Sequence, residues 1–239
     1  MQKFKPYKKG SEYSFTSGIF PTIELLTRQP GAALQVYLAP NSDHSQGVRK
    51  IRELCAQRGI PLEVNDKAIN RLAPSSHSFA LGVFKKYATP LATDAPHVVL
   101  VNPDDAGNMG TILRTMLGFG HRDLAVIRPA VDALDPKTVR ASMGSVFSQR
   151  IEYFDSIDDY IARFSHHLYP FLLEGSSPLR QVSFAKPYSL VFGNEGAGLP
   201  AVYQQMGTPV RIEQDDAVDS LNLAVATSVA LYHAYISNK

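Results

Sequence analysis

The sequence predicts an α/β protein whose second half is built on a buried parallel sheet. Helix-period and strand-like segments alternate along almost the whole chain. HVVLVN (97–102) and DLAVIRP (123–129) are continuous apolar runs, as in strands covered on both faces. Polar loops follow the apolar strands, and in open parallel sheets ligands bind beyond the carboxyl ends of strands.

In the first half, the opening dozen residues, rich in Lys and Tyr, read as a basic arm. GIFPTIELLTRQ (18–29) predicts a helix with Pro21 near its first turn. ALQVYLAP (33–40) reads as a strand ended by Pro40, and SQGVRKIRELCAQRG (45–59) as a helix closed by Gly59. IPLEVND is a short strand, Asp66 is the expected cap of a helix over KAINRLA, and SFALGVFKKY (78–87) is a strand. YATPLATDAP (87–96), with two prolines and two threonines, reads as the linker. The expected domains are therefore 1–94 and 95–239.

In the second half, NMGTILRTMLGFG predicts a helix ending in glycine, and PKTVRASMGSVF opens another with Asp135 as cap. QRIEYFD and YPFLLEG are strand-like, with DSIDDYIARFSHH as the helix between them. SLVFGNEGAGLP is a strand that breaks into a glycine loop. TPVRIEQ is a last short strand, and SLNLAVATSVALYHAYI an apolar final helix.

The chain has 239 residues, 44% hydrophobic, with a net charge of only +2. The distribution is more telling. Residues 1–94 carry 13 Lys/Arg against 7 Asp/Glu, and residues 95–239 carry 11 against 15. A basic first half suits contact with phosphates. The one cysteine, Cys55, excludes disulfide frameworks and cysteine-rich zinc sites. The histidines show no metal-ligand spacing. The N-terminus has no apolar signal core and no window approaches a membrane span, so a cytoplasmic protein is expected.

Three polar loops carry the candidate chemistry: Asn102–Arg114, Gly193–Pro200 and Gln214–Asn222. GNEGAG has the order G-x-x-G-x-G, not the dinucleotide order G-x-G-x-x-G, which speaks against a nucleotide-dependent oxidoreductase. Neither a P-loop nor a G-x-S-x-G elbow is present.

Together the loops resemble a known set. NPDDAGNMGTILRTMLGFG, LVFGNEGAGLP and SLNLAVATSVALYHA are similar to the three motifs of the SpoU/TrmH-type RNA 2′-O-methyltransferases, in the same order. RASMGSVF resembles the family's Arg-Ala-Ser-x-Gly-Ser segment. The first half resembles, less closely, a substrate-binding domain of ribosomal-protein-L30e type. Where many relatives carry His-x-Gln-Gly, KAINRLAPSSHSFALGVF lacks the glutamine, and Ile212-Glu213-Gln214 departs from the common Ile-Pro-Met.

The resemblance implies a trefoil-knotted second domain, a rare exception to unknotted topology. It implies S-adenosylmethionine as cofactor with no metal, tRNA or rRNA as substrate, and a homodimer through the knotted domain. Gly193, Ile212 and Leu221 stand at the family's cofactor-contacting positions, with Phe192, Asn194 and Gly198 counted beside them. Arg114 stands at the arginine of the chemical step. A guanidinium stays protonated, so holding phosphate and stabilising a forming alkoxide suits it better than taking a proton. Asn102 and Asn108 are expected to fix the loop and Arg114, Glu195 to anchor Arg114 or a partner-chain group, and Ser220 and Asn222 to lie beside the substrate ribose. The alternative within the family is a catalytically silent RNA-binding homologue.

Overall fold

The computed structural model describes residues 3–40, 42, 44–73 and 78–237. Pro74–His77, part of the segment that stands for the His-x-Gln-Gly element, lie outside the described residues. The chain divides into two compact units: Met1–Tyr87 with Asp132–Ser148, and Ala88–Val131 with Gln149–Lys239.

The first unit holds a four-stranded sheet in the order β1-β4-β2-β3. Its strands are β1 (Tyr13–Phe15), β2 (Ala33–Leu38), β3 (Leu62–Val64) and β4 (Ala80–Lys85). Helices α1 (Ile19–Arg28) and α2 (Gln46–Arg58) bury Leu26, Val48, Ile51 and Leu54 in one core cluster with Val36 and Leu38. Gly59 ends α2 at φ +65°, the left-handed cap that glycine adopts without a Cβ penalty. Helix α3 (Asp66–Leu72) shares a second cluster with Phe15, Tyr37 and Leu81.

Two expectations need correction here. The cap of α3 is Asn65, whose side chain accepts from the Ala68 amide, while Asp66 sits in the first turn near the positive helix end. The N-terminal residues are not a free arm. Phe4 is buried, Tyr13 to Phe15 form β1 against β4, and the Tyr7 hydroxyl donates to Asp132. The segment Asp132–Ser148, with α5 (Pro136–Ala141) capped by Asp135 as expected, packs within this unit.

The second unit holds the parallel sheet: β5 (His97–Val101), β6 (Asp123–Ile127), β7 (Arg150–Phe154), β8 (His167–Pro170) and β10 (Tyr188–Phe192), in the order β7-β6-β5-β10-β8. All its pairs are parallel. The chain runs outward from β5 through β6 to β7, then returns to build β8 and β10 on the other flank. The β5/β10 boundary is therefore the topological switch point, where a crevice opens at the carboxyl ends. Helices α4 (Ala106–Gly118), α6 (Ile157–Arg163) and α7 (Leu223–Ser237) belong to this unit, and α4 packs against α7. The segment expected as one strand over TPVRIEQ is the two-residue β11 (Val210–Arg211), which pairs with β9 (Ser177–Pro178) apart from the main sheet.

The linker-like stretch is pinned to the opposite end of the sheet by a buried polar network. The Ala92 amide donates to Asp123, and the Ala92 carbonyl meets His97 Nε2 at 2.7 Å. His97 Nδ1 lies 2.7 Å from the Tyr160 hydroxyl, which lies 2.6 Å from Ser189 Oγ. His97, Tyr160 and Ser189 are fully buried. Burial pushes the His97 imidazole down to about 4, against its ordinary 6.5; the Ala92 bond opposes the fall and the neighbouring His166 adds to it. A histidine held neutral by the fold contributes stability that is complete above its unfolded pKa and is lost as pH falls toward the folded one. Stability should thus decline between pH 6.5 and 4, by up to about 3 kcal/mol from this group. Denaturant melts across that range check it: His97→Gln should flatten the slope, and an unchanged slope would contradict the assignment.

Candidate functional site

Three loops meet at the carboxyl ends of β5 and β10, and amide side chains tie them together. After β5 the chain turns at Asn102, whose φ is +54°, a left-handed conformation that Asn tolerates better than most side chains. The Asn102 carbonyl accepts from Asn194 Nδ2 at 2.8 Å, across to the loop after β10. Asp105 then caps α4 by accepting from the Asn108 amide at 2.7 Å.

Glu195 is the hub. Its carboxylate accepts from the backbone amides of Asp104 and Asp105, each at 3.3 Å, and from Asn108 Nδ2 at 3.2 Å. Asn108 Oδ1 in turn accepts from Asn222 Nδ2 at 3.0 Å. Asn222 caps α7, its Oδ1 accepting from the Ala224 and Val225 amides. One continuous relay, Asn222–Asn108–Glu195–Asn194–Asn102, therefore joins the loops that open α4, follow β10 and open α7.

The β10 loop is a tight hairpin. The Asn194 and Gly198 backbones bond reciprocally, and Asn194 Oδ1 accepts from the amides of Gly196 and Ala197. Gly198 sits at φ +67°. A Cβ at Gly193 would overlap the Gly198 carbonyl and the Leu199 amide nitrogen. Glycine is required at 193 because the hairpin closes on its own backbone there.

Beside the hairpin lies a cavity of about 420 Å³. Of the residues singled out in the sequence, Phe192, Gly193, Asn194, Glu195, Gly198, Ile212, Ser220 and Leu221 line it. Asn102, Asn108 and Asn222 belong to the relay. Asn108 and Asn222 also line a shallower groove along α4 and α7 with Val225, Val229 and Tyr232.

Arg114 stands apart. It is exposed on α4 with no hydrogen bond or ion pair among the described residues. Six residues beyond Asn108, it points about 120° around the helix from it. The expected anchoring of Arg114 by Glu195, Asn108 or Asn102 is therefore not what the structure shows: the Glu195 oxygens are committed to loop amides. Ser220 is exposed, and the helix cap beside it is Asn222.

Sequence reading missed the loop after β8, where Phe171 to Glu174 form a further wall of the cavity. Phe171 stacks on Phe192 with ring centroids 4.5 Å apart. The signal available was Gly175, which sits at the end of a segment read whole as strand. Among the described residues, no cluster of His, Cys, Asp or Glu is arranged to hold a metal ion, and no helix is long and apolar enough to cross a membrane.

With this geometry in hand, comparison with known proteins gives a consistent answer. The SpoU rRNA methylase family model matches residues 95–232, and the chain belongs to that family. It is 31% identical over 154 residues to a 23S rRNA uridine 2′-O-methyltransferase of Streptomyces viridochromogenes, covering 61% of this chain and 54% of that one. It is 27% identical over 146 residues to a 23S rRNA guanosine 2′-O-methyltransferase of Bacillus subtilis, covering 60% and 59%. The chain thus spans little more than half the length of these curated relatives. The AdoMet-bound rRNA methyltransferase of Sinorhizobium meliloti superposes with a TM-score of 0.78 at 29% identity, over 93% of this chain and 87% of that one.

The hairpin geometry makes its own forecast. Gly193→Ala should cost about 1–3 kcal/mol by overpacking and lower the melting temperature by several degrees. Gly196→Ala, whose Cβ would meet nothing nearer than Asn194 Oδ1 at 3.6 Å, should melt like wild type. Equal melting temperatures for all three proteins would mean that the loop does not close as described.

Proposed function

We propose that this protein transfers the methyl group of S-adenosylmethionine to a ribose 2′-hydroxyl of tRNA or rRNA. The observation that carries the reading is the relay through Glu195, which gathers the three family-motif loops around one cavity at the sheet's switch point. The residues present fit such a cofactor. Phe192, Ile212, Leu221 and Leu223 give an apolar lining, two carboxylates face the space, and its volume suits an adenosine-sized group. When bound, S-adenosylmethionine supplies an electrophilic methyl on a sulfonium.

The chain's own part is position and charge. The hairpin and the Ile212 and Leu221 segments hold the adenosine. Arg114, unpartnered among the described residues and permanently charged, grips an RNA phosphate through its two parallel N–H donors and stabilises the alkoxide as the hydroxyl gives its proton to solvent water. Asn108 and Asn222 border the ribose, and Ser220 lies at the cavity edge.

Further parts of the reading follow. Residues 1–94 are read as an L30e-type substrate-binding half and residues 95–239 as a knotted catalytic half, although the compact units divide after Tyr87 and Asp132–Ser148 belongs to the first. The basic surplus of the first, with exposed Lys8, Lys9, Arg49 and Lys50, supports RNA contact. A second copy covers the exposed apolar face of α7, where Val225, Val229, Tyr232 and Ile236 face solvent. Light scattering on wild type and Val229→Glu tests this; a monomeric wild type contradicts it. The cytoplasm is the compartment that goes with such a substrate.

The decisive variant is Arg114→Ala. It should fold normally and bind S-adenosylmethionine like wild type, while its single-turnover methylation of a verified RNA substrate falls on the order of a hundredfold. Arg114→Lys should rescue little, since a point charge does not reproduce the planar fork. A rate within a few-fold of wild type for Arg114→Ala removes Arg114 from the mechanism.

A further inference from the structure

The loop after β8 brings to the cavity a charged group that none of the family motifs contains. It is firmly held. The Phe171 amide donates to the Val191 carbonyl at 2.8 Å, and the Leu172 amide to the Val210 carbonyl at 2.9 Å. The Gly175 amide closes a turn on the Leu172 carbonyl at 3.2 Å. A Cβ at Gly175 would lie 2.5 Å from the Val210 carbonyl oxygen and 2.7 Å from the Arg211 nitrogen, so only glycine lets the turn rest on β11. Glu174 occupies the position just before it, within the turn.

Glu174 lines the cavity, is exposed, and makes no hydrogen bond or ion pair among the described residues. Among the described residues, the only other ionisable side chain lining the cavity is Glu195, whose oxygens already accept from the α4 loop. Among the described residues, no lysine, arginine or histidine lines it. The fixed side-chain charge that the described residues place around this space is therefore negative, and of its two carboxylates Glu174 is the uncommitted one.

The chemistry of a methyl donor makes that imbalance selective. S-adenosylmethionine carries a carboxylate, an ammonium and a sulfonium, a net charge of one plus. Its demethylated product has lost the sulfonium charge and is neutral overall. Apolar packing and hydrogen bonds to the adenosine treat the two almost alike, whereas a fixed anion does not. We propose that Glu174 is a specificity-determining residue that makes the cavity prefer the cationic cofactor over its neutral product, so that spent product exchanges for fresh donor. This rests on the reading that the cavity holds S-adenosylmethionine. Because Glu174 is solvated, the preference it supplies is modest, about three- to tenfold at low salt, and shrinks as salt screens it.

Calorimetry tests this on the full-length protein and on Glu174→Gln, which keeps the shape and removes the charge. The ligands are S-adenosylmethionine, S-adenosylhomocysteine, and an analogue with a protonated amine in place of the methylsulfonium. Glu174→Gln should weaken both cationic ligands about three- to tenfold and leave the neutral product within about twofold. Glu174→Asp, which retains the charge, should keep most of the preference. Equal weakening of all three ligands would show that Glu174 only contacts or shapes their shared part, and no weakening would show that it does not act; either result overturns the proposal. A wild-type protein that binds none of the three fails at the cavity reading itself, a different result from a wild type that binds all of them and a variant that does not discriminate.

Discussion

The Glu195 carboxylate accepts from two backbone amides and one side-chain amide of the α4 loop, so both of its oxygens are used as acceptors. Glutamine in its place would present an NH2 group where acceptors are required. Together these bonds fix the start of α4 against the hairpin after β10. Asn194 and Asn108 extend the hold on either side, to the Asn102 carbonyl and to the cap of α7. The left-handed backbone of Asn102 is kept in place by the same ties. The polar rim of the cavity is tied together through this one carboxylate.

The sheet explains why these loops meet. Adjacent β5 and β10 come from distant parts of the chain, and both end at the switch point with polar turns. Behind them β5 and β10 are buried along their whole length. The polar ends can therefore be arranged by hydrogen bonds without disturbing the core. The glycines serve two distinct purposes: Gly193 lets the hairpin close on itself, and Gly175 lets the β8 turn lie on β11.

The core of this arrangement was legible in the sequence because burial leaves a periodic mark. HVVLV and DLAVI are apolar throughout and proved to be fully buried parallel strands. Gly59 and Asp135 announced their helix ends by side-chain chemistry alone. Features decided by tertiary context were not legible. Asn65 and Asp66 are both good caps, and the path of the chain chose Asn65. The Lys- and Tyr-rich N-terminus gave no sign that Phe4 would be buried or that β1 would pair with β4. The loop at 171–175 looked like the continuation of a strand. The motif residues were found through the family resemblance, but not their partners. Helical geometry turns Arg114 away from Asn108, and two of the donors to Glu195 are backbone amides that no side-chain pattern reveals.

In the proposed function, the Glu195-held loops form the surface that takes S-adenosylmethionine. Amide hydrogen exchange of the full-length protein, with and without saturating S-adenosylmethionine, tests it without presupposing a substrate RNA. The account predicts added protection concentrated in the segments 171–175, 192–199 and 212–222, with β6, β7 and the first unit unchanged. Protection confined to other segments, or no change on adding the cofactor, would contradict it.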